Sequence, residues 1–224
     1  MAQNSKAWVS LLVLASVMAS LLFVPAGSLS FWHAWVYLVI FFTAAALTTN
    51  YLMKHDPALL SRRLKGGPLA ENEPTQKIIM FFTSIGFMAL LVVPAFDFRL
   101  GWSVVPLWLV VVGDFLVVVG FYFIFLVYKE NTFTSATIEV AEGQKVITTG
   151  PYAKVRHPMY ASAVLYLFGT PLALGSYWGI LTLAATLPFL IWRLFDEERF
   201  LAKNLPGYVD YRRRVRWRLI PGVF

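Results

Sequence analysis

Six apolar runs, at residues 8–24, 31–51, 78–96, 104–128, 158–174 and 178–195, dominate this chain. A hydrocarbon core of about 30 Å needs a helix of roughly 17–25 residues, and each run reaches that length. Backbone polar groups have no water to bond in lipid, so such runs fold as helices. With 58% hydrophobic and 14% charged residues, the chain is too apolar for a soluble domain of its size. The expectation is an all-α integral membrane protein of about six transmembrane helices. Residues 1–224 form a single membrane domain, with four helices in 1–128 and the remainder in 129–224. The first run follows a weakly basic start and ends in Val24-Pro25-Ala26, a poor cleavage site, so it reads as a retained helix.

Charge orients the spans. Of the 19 Lys and Arg, only Arg99 lies in the short loops after the first, third and fifth runs. The others fall in the N-terminus, residues 52–77, residues 129–157 and the tail from Arg193. The positive-inside rule then places both termini and both long loops in the cytoplasm. The net charge of +7 is therefore read as meeting membrane lipid, with no nucleic-acid partner. Cysteine is absent, which removes disulfides, thiolate metal sites and Cys nucleophiles. His33, His55 and His157 show no metal-ligand spacing, so no metal is expected.

Polar residues gather where the fifth run begins. Residues 150–160 read Gly-Pro-Tyr-Ala-Lys-Val-Arg-His-Pro-Met-Tyr. Pro158 suits a first helical turn, and exposed N–H groups there attract anionic ligands. Arg and Tyr at an interface also serve as plain lipid anchors. A second cluster, Arg193, Asp196, Glu197 and Glu198, ends the sixth run. Arg193 and Glu197 are four apart and share a helix face. Acids at a helix C-terminus oppose its dipole, which suits a cationic ligand better than a structural role. A hairpin of the fifth and sixth runs brings both clusters to one membrane face. Asp114, inside the fourth run, is either functional or a helix-locking acid. Residues 129–149 alternate enough to suggest a short β-hairpin around Glu142-Gly143. Residues 196–213 suggest an interfacial amphipathic helix broken at Pro206-Gly207. No Gly-x-Gly-x-x-Gly follows a strand, so a nucleotide-like cofactor needs a site without a Rossmann domain.

The motif Gly150-x-Tyr152-x-x-x-Arg156-His157-Pro158-x-Tyr160 is followed by Glu197-Glu198 and then Tyr208-x-x-Tyr211-x-x-x-Val215. This arrangement resembles the isoprenylcysteine carboxyl methyltransferases, with membrane phospholipid methyltransferases as wider relatives. The resemblance covers about residues 140–220. It implies an S-adenosylmethionine-dependent methyltransferase whose cofactor binds in the half 129–224. Gln144, Lys145, Val146, Ile147, Tyr152, His157, Pro158, Met159, Tyr160 and Glu197 would touch the cofactor. Arg193 would orient the acceptor, most readily an isoprenylcysteine carboxylate. An amine acceptor would instead need a base such as Glu198 or His157. The lipid-like or prenylated acceptor would enter from the bilayer and the cofactor from the cytoplasm.

Two other readings compete. Membrane sterol-type reductases resemble this family in their C-terminal half and use NADPH, whose extra phosphate needs a basic pocket. Arg212, Arg213, Arg214, Arg216 and Arg218 could supply one, although contact with anionic lipid is the preferred reading of these arginines. A transporter or scaffold would favour broken helices and mid-membrane polar residues, of which Asp114 is one.

Overall fold

The computed structural model describes residues 2–66, 70–71 and 73–224. Among the described residues eight α-helices are formed: α1 (Ala2–Ala26), α2 (Trp32–His55), α3 (Pro57–Arg63), α4 (Pro74–Leu100), α5 (Leu107–Glu130), α6 (Pro158–Ala173), α7 (Trp178–Asn204) and α8 (Tyr208–Arg214). A 3-10 turn covers Gly150–Ala153. Helices α1, α2, α4, α5 and α7 are long and apolar enough to cross a membrane.

That is five spans where six apolar runs were expected. The run at 158–174 forms α6, only 16 residues long, or about 24 Å at 1.5 Å per residue. Pro158 opens it, and Gly175 (φ +68°) turns the chain beyond its end. Neighbouring helices replace lipid around its second half, where Leu167 and residues 169–173 are buried. The second half of the run is apolar because it is covered by protein.

Helix α6 nevertheless completes an alternating bundle. It lies antiparallel to α5, with Gly113 against Ala173 and Gly120 against Tyr166. A Cβ on Gly113 would stand 2.3 Å from the Ala173 backbone nitrogen, so only glycine permits this approach. Helix α7 runs back along α6 and α4, seating Gly179 on Pro171 and Gly86 on Thr186. The start of α1 meets the α2–α3 junction through Gln3, whose side chain donates to the Pro57 carbonyl at 2.7 Å. The start of α1, helix α3, the segment 131–157 and the C-terminal tail thus share one end of the bundle.

The opposite end is tied by Asp97, buried at the end of α4. Its carboxylate accepts from the Ser103 N–H (2.7 Å), the Ser103 hydroxyl (2.6 Å) and the Ser176 hydroxyl (2.5 Å). The α4–α5 and α6–α7 turns are therefore fixed to each other, and the α6–α7 hairpin is held at its closed end.

Residues 131–149 form no strand, against the expected hairpin. The turn itself is present, with Gly143 at φ +70°. Side chains from α3, α7 and the α3–α4 connection bond the flanking backbone instead of a partner strand. Arg62 donates to the Thr132 carbonyl, Arg63 to that of Ser135 and Arg193 to that of Ala136, while the Ile138 N–H donates to Glu71. The segment becomes an irregular wall pinned by side chains. The expected break near Pro206-Gly207 is present: α7 stops at Asn204, Gly207 takes φ +84°, and α8 begins at Tyr208.

Candidate functional site

A cavity of about 230 Å³ opens at the loop-rich end of the bundle, somewhat below the usual small-molecule range of about 300–1,000 Å³. One side is the start of α6, another is α7 around Arg193 and Glu197, and the third is the wall 131–147. Tyr208 and Tyr211 of α8 close the remainder.

The structure brings most of the expected residues to this cavity. Gln144, Lys145, Val146 and Ile147 line it, as do Tyr152, His157, Pro158, Met159 and Tyr160. Arg193 and Glu197 line it from α7, one helical turn apart. Asp114 is absent from the lining, as are Arg212, Arg213, Arg214, Arg216 and Arg218. Sequence reasoning missed Asn131, Ala136, Ile138 and Leu201, and also Arg63 from α3. Only tertiary packing brings α3 and the wall to the mouth of α6.

Glu198 stands apart from the other expected residues. It is 3% exposed and lies outside the cavity lining. Its Oε1 meets Arg156 Nη1 at 3.1 Å and His157 Nε2 at 3.2 Å, and its Oε2 accepts from Arg218 Nε at 3.3 Å. Both oxygens are engaged by basic groups on either side of the α6 entry, so the geometry is that of a clamp. The tail reinforces this clamp: the Arg156 and His157 N–H groups donate to the Trp217 and Arg218 carbonyls, each at 2.9 Å. The backbone just before α6 is thereby held by residues some 60 positions later.

The three acids also differ from the sequence expectation in their setting. Helix α7 continues to Asn204, so residues 196–198 are interior to it and away from its C-terminal dipole. Successive side chains on a helix diverge by about 100°, and each acid finds a different partner. Asp196 accepts from the Gln76 amide, Glu197 accepts from the Tyr160 hydroxyl at 2.6 Å, and Glu198 holds the basic cluster. Arg193 pairs with Glu71 at 2.7 Å.

The aromatic floor is tied into this frame. Asn131 donates to the Tyr152 hydroxyl at 2.9 Å, and the Tyr211 hydroxyl donates to the Tyr152 carbonyl at 2.8 Å. Burial raises the Tyr152, Tyr208 and Tyr211 phenols above their ordinary range, so all three stay neutral near pH 7. Burial also lowers the Arg156 guanidinium, with the nearby Glu198 carboxylate acting in the opposite direction.

Some polar capacity at the cavity remains unused. Arg156 Nε and the Tyr208 hydroxyl are buried with no hydrogen-bond partner among the described residues, and both residues line the cavity. His157 caps α6 without a side-chain bond to its first turn. Unpaired donors and an open helix N-terminus suit an anionic group. Glu197 offers the opposite charge on the lining of the same cavity.

Residues 108–206 match the family model of phospholipid methyltransferases. The matched stretch runs from the start of α5 to the break before α8 and includes the wall, the start of α6 and the acids of α7. The chain is also similar to the nickel-cobalt-cadmium resistance protein NccN of Alcaligenes xylosoxydans xylosoxydans, being 33% identical over 76 residues. That alignment covers 32% of this chain and 34% of the relative, so the likeness extends over about a third of each protein.

Proposed function

We propose that this chain is an integral-membrane methyltransferase that takes its methyl group from S-adenosylmethionine and acts on a lipid-like acceptor. One observation carries the reading: the cavity pairs unsatisfied donors with an acidic side chain, and most of its wall lies within the phospholipid methyltransferase match. The donor set fits this cofactor. Glu197, set against Tyr160, suits its cationic part. Arg156 Nε, the Tyr208 hydroxyl and the first turn of α6 suit its carboxylate. Tyr152 and residues 144–147 offer an aromatic and backbone surface for its adenosine.

When bound, S-adenosylmethionine supplies a methyl group to a nucleophile and leaves as a neutral thioether. The chain's own contribution is alignment, because in-line displacement depends strongly on placement. Glu198, Arg156 and the 217–218 backbone keep the mouth of α6 rigid. For the acceptor, the motif resemblance supports a carboxylate of the isoprenylcysteine type, oriented by Arg193. A carboxylate is ionised at pH 7 and needs no base. The match to phospholipid methyltransferases supports a second reading, an amine acceptor. His157, which lines the cavity, is better placed as its base than Glu198. The arginines that the NADPH reading calls on for the extra phosphate, at 212–214, 216 and 218, lie off the cavity lining. The metals in the relative's name have no matching group here, because no three His, Asp or Glu gather among the described residues.

The cavity-bearing end, with both termini and the basic loops, faces the cytoplasm in this proposal. The acceptor arrives from the bilayer and membrane lipid meets the basic tail. The test is thermal unfolding in detergent. S-adenosylhomocysteine at saturating concentration is expected to raise the melting temperature, and NADPH is not. Stabilisation by NADPH alone would replace the methyltransferase with the reductase.

A further inference from the structure

Arg193 is the cation expected to orient the acceptor, yet it already has a carboxylate. Glu71, 3% exposed in the α3–α4 connection, places Oε1 2.7 Å from Arg193 Nη2. The other oxygen of Glu71 accepts from the Ile138 N–H at 3.2 Å. Arg193 Nη1 donates to the Gln76 amide oxygen at 2.8 Å, and Nη2 donates also to the Ala136 carbonyl at 3.1 Å. Arg193, Ala136 and Ile138 line the cavity, whereas Glu71 and Gln76 do not. The counter-charge thus reaches the guanidinium from behind the cavity wall.

This placement matters for a reaction between an anion and a cation. Negative charge on an attacking carboxylate diminishes as the new O–C bond forms. A strong unpaired cation would hold the ionised ground state more tightly than the transition state, which lowers KM without raising kcat. Paired with Glu71, Arg193 keeps its planar donors for orientation but exerts a weaker net pull. We propose that Glu71 is a positioning residue that acts through Arg193, offsetting its charge so that an anionic acceptor is aligned and not trapped. This proposal rests on the reading that a carboxylate acceptor meets Arg193.

The test compares the parent with Glu71→Gln for equilibrium binding of an N-acetyl-S-prenylcysteine acid and of its uncharged methyl ester, alongside turnover of the acid. Glu71→Gln is expected to bind the acid about tenfold more tightly and the ester unchanged, as an uncovered cation would. KM and kcat for the acid are both expected to fall. Equal shifts for acid and ester, or none, would overturn the proposal and leave Glu71 as a strut for the wall. Acid-selective tightening in a protein whose parent form never methylates the acid would retain the charge-offsetting role and overturn the carboxylate reading instead. Because Glu71→Gln strands a buried guanidinium, Glu71→Asp provides a second variant: its shorter arm weakens the pair, and a smaller shift of the same sign is expected. Parent-like acid binding by a folded Glu71→Asp, with no folded Glu71→Gln to measure, would also overturn the proposal.

Discussion

Glu197 and Glu198 are adjacent in sequence, yet their side chains have separate surroundings. Glu197 lines the cavity and accepts one bond from Tyr160, while Glu198 is enclosed by Arg156, His157 and Arg218. Neutralising Glu197 removes one charge from a cavity wall and breaks no ion pair among the described residues. Glu197→Gln is therefore expected to leave the melting temperature near the parent value. Affinity for S-adenosylhomocysteine should fall by about tenfold, as for loss of one hydrogen bond to a charged group. Calorimetric titration of the purified variant measures this. Parent-like binding would reduce Glu197 to a partner for Tyr160.

Among the elements, α6 has the tightest packing and the greatest leverage on the site. One end enters the cavity as His157, Pro158, Met159 and Tyr160, and the other is wedged against α5. Three glycines let the two backbones approach: Gly113, Gly120 and, from α6 itself, Gly169, where a Cβ would stand 2.6 Å from the Gly113 carbonyl oxygen. A methyl at Gly113 meets backbone, which cannot rotate away as a side-chain tip would. Gly113→Ala should therefore destabilise the protein by about 1–3 kcal/mol, the usual cost of overpacking, visible as a lower melting temperature in detergent. An unchanged melting temperature would show that α6 shifts freely, and the rigid mouth inferred for the cavity would have to be abandoned.

At the scale of the whole molecule, antiparallel packing separates two ends of unlike chemistry. One end carries the cavity and the basic segments; the other is sealed by Asp97, Ser103 and Ser176. Since the chain has no cysteine, single introduced thiols report sidedness directly. Glu142→Cys, in the exposed turn at the cavity end, is expected to react with a membrane-impermeant maleimide only when the cytoplasmic face is accessible. Val104→Cys, 90% exposed at the sealed end, should react only from the opposite face. Labelling of both from one face would contradict the proposed orientation.

The apolar runs by themselves determined a helical membrane protein, because lipid permits no other use of so much apolar backbone. The polar residues around 150–160 and 193–198 were legible for a related reason: they interrupt those runs where charge is costly. Contacts between distant segments were not legible. The role of Glu198 and the pairing of Arg193 with Glu71 depend on which way each side chain points and on which helix lies behind it, and spacing along one helix carries neither fact. That α6 is covered by protein over its second half also escaped detection, since burial against protein and burial in lipid select the same apolar residues. Likewise, Thr-rich alternation at 129–149 reads as strand until Arg62, Arg63, Arg193 and Glu71 take the backbone bonds that a partner strand would have made. Composition fixes which solvent a segment tolerates. Only the folded arrangement decides which residues, distant in sequence, replace that solvent.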